Sequence, residues 1–115
     1  LHSFPTRRSS DLAIQCLNDL FACGLIRGLQ ERGVRVPQDI SVIGSDNMEL
    51  GEFFPVSLST IDMRQYDTAM MIWQMLGRQL SQPDWTTIPE MVTLRGNLIV
   101  RESTGVVRTH DLNLA

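Results

Sequence analysis

A chain of 115 residues with an ordinary apolar content of 43% is enough for one small domain. Its 10 basic residues, all arginine, face 13 acidic ones for a net charge of −3, with no five-residue basic cluster, which argues against a nucleic-acid-binding surface. His2 and His110, with Cys16 and Cys23 in neither CxxC nor zinc-ligand spacing, offer no metal centre, and no apolar run approaches the roughly 18 residues of a membrane span.

Residues 1–12 lack apolar periodicity, and their letters match the conceptual translation of a common sequencing-adapter string; they read as adapter-derived and are set aside from the fold. The alternative is a natural basic arm that touches phosphate through Arg7 and Arg8. Without this segment, eight arginines stand against twelve acidic residues. Residues 13–17 read as a short buried strand, and Asn18 or Asp19 then sits where a helix amino-terminal cap belongs. A helix is predicted to run to about Arg32 and to end at Gly33. Phe21, Leu25 and Leu29 recur beside Gly24 and Gly28, whose missing side chains are expected to let the helix approach a sheet. With Ala22 and Ile26 the apolar arc widens to about 200°, more than one sheet contact needs, so a second partner is expected: another helix of the domain or a subunit.

Val36-Pro37-Gln38-Asp39-Ile40-Ser41-Val42-Ile43-Gly44-Ser45-Asp46-Asn47 couples a β-branched strand to polar groups at its carboxyl end, where open α/β sheets bind ligands. Gly44 is expected to let the chain leave the strand sharply, so that Asp46 and Asn47 offer a carboxylate and an amide. Residues 49–56, with Phe53 and Phe54, form a loop or short helix, and residues 58–61 a strand. Residues 64–80 follow helical spacing through Tyr66, Ala69, Met70, Trp73, Leu76 and Leu80, with a methionine content typical of core. Residues 81–89 read as a loop, residues 91–94 and 98–100 as two strands, and residues 105–115 as a frayed tail. Ser59, Ser103 and Asp62 are scattered, and no histidine stands ready as a base. No enzyme activity and no cofactor are expected.

The segments Leu17-Asn18-Asp19-Leu20-Phe21-Ala22-Cys23-Gly24 and Arg32 through Asn47, with Leu58-Ser59-Thr60-Ile61 and Val100-Arg101-Glu102-Ser103-Thr104 following in order, resemble the effector-binding domain of lactose/galactose-repressor-type (LacI/GalR) transcription regulators. The resemblance covers residues 13–104 and matches roughly the last third of such a regulator. It implies an α/β, periplasmic-binding-protein-like (type I) fold, mostly the carboxyl-terminal subdomain with a parallel sheet and flanking helices. The 64–80 helix would cross to the other subdomain and lose its sheet, leaving the piece marginal by itself.

The resemblance also implies a function: a cytoplasmic regulator of the repressor class that senses a small sugar-like metabolite, pairs as a homodimer, and meets operator DNA only through a missing helix-turn-helix. The implied effector-binding residues are Asp46, then Asn18 and Asp19, the last equally suited to capping its helix. Ala22, Cys23, Ile26, Phe53 and Phe54 are the implied dimer contacts. The alternative is a periplasmic sugar-binding protein of a transporter. Met63 and Ser45 depart from the family pattern near the ligand, and Leu20 is apolar where some sugar-responsive relatives are polar, so no particular sugar is implied.

Overall fold

The structure, a computed structural model, describes residues 13–81 and 91–106. The expected adapter-like segment, most of the 81–89 loop and the end of the tail lie outside the described residues.

The strands β1 (Ala13–Gln15), β2 (Ser41–Ser45), β3 (Ser59–Asp62) and β4 (Asn97–Ile99) form one sheet in that order. β1, β2 and β3 are parallel, and β4 runs antiparallel to β3. Helix α1 (Asp19–Glu31) connects β1 to β2, and α2 (Gln65–Leu80) leaves the carboxyl end of β3. A 3-10 turn, Glu49–Glu52, follows β2.

The start of α1 follows from its sequence. Asn18 is the cap: its Oδ1 accepts from the Phe21 N–H at 3.0 Å, satisfying one of the free donors of the first turn. At the other end Gly33 takes φ +74°, a left-handed conformation open to glycine, and its N–H donates to the Gln30 carbonyl.

The face that α1 buries differs from the expectation. Asp19, Ala22, Cys23 and Ile26 point at the sheet, a stripe of i, i+3, i+4, i+7 spacing. Ala22, Cys23 and Ile26 pack with Val36, Val42 and Leu58 as the core, so they are not available as dimer contacts. Nothing stands within 4 Å of a side chain built on Gly24, and Gly28 meets only the end of Arg32. The close approach lies on the opposite element: a Cβ on Gly44 would collide with the Asp19 carboxylate and come within 3.0 Å of Leu58 Cδ2. Gly44 is therefore an inner strand residue that admits α1. The sharp turn comes afterwards, at Asp46 and Asn47, with φ of +107° and +50°.

Residues 101–104 explain how the final motif holds the sheet. Ser103 lies between the beginnings of β2 and β3: the Val42 N–H donates to its carbonyl (2.8 Å), and its own N–H donates to the Ser57 carbonyl (2.9 Å). Its hydroxyl donates to the Val42 carbonyl (2.6 Å) and accepts from the Ser59 N–H (2.8 Å). The segment works as a short splint between two strands that have not yet met.

No residue of α2 is buried, and Trp73 is 69% exposed, contrary to the core role its methionines suggest. This is the outcome expected for a helix without its sheet. Met71 and Met75 line an open groove of about 460 Å³ with Met91, Val92 and Leu94. Residues 91–94 form no strand, because no strand among the described residues lies beside them, whereas β4 gains β3 as partner through Asp62↔Asn97 and Ile61↔Leu98.

Three outcomes are expected. Gly44→Ala forces the Asp19 carboxylate aside and lowers stability by about 1–3 kcal/mol, read from denaturant unfolding. Ser103→Ala leaves the Ser59 N–H and one Val42 carbonyl contact unmet, with a loss of about 1–3 kcal/mol by the same measurement. Burial raises the Cys23 thiol pKa, helped by the nearby Asp19 charge, and burial also raises that of Cys16, so alkylation by iodoacetamide near neutral pH is slow in the folded protein and accelerates on unfolding.

Candidate functional site: a polar cleft at the carboxyl edge of the sheet

The carboxyl ends of β2 and β3 diverge into two turns, and β4 begins beside them. Asp46 and Asn47 come from the first turn, Asp62, Arg64, Gln65, Tyr66 and Asp67 from the second, and Asn97 from the start of β4. Together they line an open cleft of about 420 Å³, within the range of small-molecule sites. Parallel strands bring this about because every carboxyl end falls on the same edge.

The positions of the polar groups follow from a buried network below the cleft. Asp19 is only 1% exposed: its Oδ1 accepts from Thr60 Oγ1 at 2.6 Å and its Oδ2 from the Met48 N–H at 2.7 Å. Thr60 Oγ1 in turn accepts from the Asn47 N–H at 3.2 Å. The Asp46 N–H extends the β2–β3 ladder to the Ile61 carbonyl (2.9 Å), and Gln65 Nε2 donates to the Asp46 carbonyl (3.4 Å). The left-handed backbone at Asn47 is one that asparagine tolerates, while φ +107° at Asp46 is strained and is held by these neighbouring bonds.

Three carboxylates edge the cleft, in different states. Asp62 Oδ1 accepts from the Arg64 N–H at 2.8 Å, and Asp67 is paired with Arg64 at 2.6 Å. Asp46 alone of the three has no side-chain partner among the described residues. It is the open acceptor.

Asp46 stands on the cleft. Asn18 lies at the carboxyl end of β1, on the same edge, but its oxygen is committed to the helix cap and it does not line the cleft. Asp19 needs correction as an effector contact: buried, with both oxygens occupied inside the protein, it supports the site from beneath. Phe53 is 81% exposed, whereas Phe54 packs on the core. Sequence reasoning missed Asp62, Arg64, Gln65, Tyr66, Asp67 and Asn97 as lining residues. Their signal was positional only: Asp62 ends β3, Arg64 to Asp67 form the cap and first turn of the helix that follows it, and Asn97 is the first residue of the antiparallel neighbour. Among the described residues no group of histidine, cysteine and carboxylate side chains is placed to hold a metal ion.

Comparison with known proteins agrees with this architecture. Residues 2–104 match the family model of the periplasmic binding protein-like domain. An HTH-type transcriptional repressor, PurR, of Vibrio atlanticus is 40% identical over 72 residues, covering 63% of this chain and 22% of that repressor, so this chain spans about a fifth of its length. A LacI family regulator of Enterococcus faecalis solved with bound ribose aligns at a TM-score of 0.73 and 34% identity, over 88% of this chain and 37% of that one. A LacI family regulator of Arthrobacter in complex with lactose aligns at 0.66 and 33%, over 81% and 35%. The chain belongs to the periplasmic binding protein-like domain family, and it is similar to part of the effector-binding domain of LacI/GalR-type regulators.

Proposed function

We propose that this chain carries the ligand-gripping half of a cytoplasmic transcriptional repressor's sensor, and that its cleft takes a neutral, hydroxyl-rich small molecule of the sugar class. The observation that carries the reading is the Asp46 carboxylate, unpartnered among the described residues and set on a polar cleft of about 420 Å³. A carboxylate accepts from two neighbouring hydroxyls at once, and charge-assisted bonds are the stronger kind. Asp46, Asp62 and Asp67 outweigh the single Arg64, which is itself paired with Asp67. That balance disfavours a phosphorylated or carboxylated ligand. Ribose and lactose in the related regulators fit the same description.

The cleft sits where β3 passes into α2 and where β4 returns. A ligand held there touches the connections toward the apolar groove of Met71, Met75, Met91, Val92 and Leu94, on which the further polypeptide possessed by the longer relatives would pack. Preference of the ligand for one closure geometry then shifts a two-state population and changes the spacing of paired DNA-reading heads carried elsewhere in the protein. Pairing with a second copy uses exposed apolar groups: Leu20 and Phe21 on the outer face of α1, with Leu50 and Phe53. Ala22, Cys23 and Ile26 lie behind that face, in the core.

Isothermal calorimetry of the intact protein against ribose, lactose and a wider panel of sugars and nucleosides tests the reading. Asp46→Ala is expected to weaken the binding sugar by about tenfold to a hundredfold, the worth of a charged hydrogen bond. Affinity equal to the parent protein's removes Asp46 from the site.

A further inference from the structure

Arg101 follows β4 and turns its side chain inward, leaving it 14% exposed. Nη1 donates to the Leu58 carbonyl at 2.8 Å, while Nη2 donates to Asn47 Oδ1 at 3.0 Å and to Glu52 Oε1 at 2.8 Å. A guanidinium carries donors only. The atom that Asn47 turns toward it is therefore oxygen, and the amide NH2 is the part left over for the cleft that Asn47 lines. The Asn47 main chain is fixed independently, by its N–H to Thr60 Oγ1 at 3.2 Å and by a left-handed backbone of φ +50°. Glu52 balances the charge of Arg101, so the arginine works from behind the loop without presenting a cation to a ligand.

We propose that Arg101 is a positioning residue of the cleft: it orients the Asn47 amide so that its NH2 stands as a donor beside the Asp46 acceptor, and this adjacent pair selects a ligand with neighbouring hydroxyls. One hydroxyl donates to Asp46, and the oxygen of the next accepts from Asn47. The inference rests on the reading of the cleft as a ligand site. It adds a residue 54 positions away in sequence from the one it orients, on a different element.

The deciding variant is Asn47→Asp, which keeps an oxygen for Arg101 and leaves the Leu58 and Glu52 contacts untouched while replacing the donor by an acceptor. In calorimetry of the intact protein with D-ribose and lactose, Asn47→Asp is expected to lose about tenfold or more in affinity for whichever sugar the parent protein binds. Hydrogen exchange of residues 46–53 should stay at the parent rate. Arg101→Met should lose comparable affinity and speed that exchange, and Arg101→Lys should recover part of both, which a role confined to stability does not predict. Parent-like affinity in Asn47→Asp overturns the inference, even where Arg101→Met fails to fold. Lost binding in Asp46→Ala beside unchanged binding in Asn47→Asp overturns it while leaving the cleft reading intact. Unchanged binding in Asp46→Ala, or no binding by the parent protein of any member of the sugar and nucleoside panel, overturns both.

Discussion

A carboxylate at the first turn of a helix, received by a strand residue with no side chain, organises this molecule. Asp19 projects from α1 into the space that a Cβ on Gly44 would fill, and there it binds the Thr60 hydroxyl on β3 and the Met48 N–H in the loop after β2. One buried charged group thus joins three consecutive pieces of the fold. Burying a charge is costly unless its hydrogen bonds are met, and both oxygens are met here. The arrangement tolerates little variation in register: a β2 displaced by one residue would present a side chain where α1 needs a gap.

The cleft inherits its geometry from that network. Thr60 donates to Asp19 and accepts from Asn47, so the helix start, the third strand and the turn after β2 share one chain of hydrogen bonds. Residues 101–104 reinforce the same region from the other end of the strands, where Ser103 bridges Val42, Ser57 and Ser59. Between these two supports the strained backbone at Asp46 has little freedom to relax, and the cost of that strain is carried by its neighbours. A cleft held in this way is preorganised.

Polar satisfaction and apolar exposure are unevenly distributed. Around the sheet, no buried side-chain polar atom among the described residues lacks a partner. Along α2 the apolar residues stay open, and residues 91–94 join no strand. The physical difference is the availability of a second surface: α1 has a sheet to cover, and α2 has only one flank of a groove.

The sequence by itself determined the local events. The cap at Asn18, the stop at Gly33, the strand of residues 41–45 and the prominence of Asp46 each depend on a residue and its near neighbours, and each was legible from spacing and residue type. The exposed face of α2 was legible too, but only through the resemblance, because periodicity marks a helix as amphipathic without saying whether its partner is present. Tertiary structure alone decided the rest. Which arc of α1 meets the sheet, whether Asp19 faces ligand or core, and why the glycine at position 44 is needed all depend on a contact between elements more than twenty residues apart. The cleft residues from β3, α2 and β4 converge because parallel strands align their carboxyl ends, and Arg101 reaches Asn47 because β4 returns beside β3. No window along the chain contains those distances; they exist only once the sheet has formed.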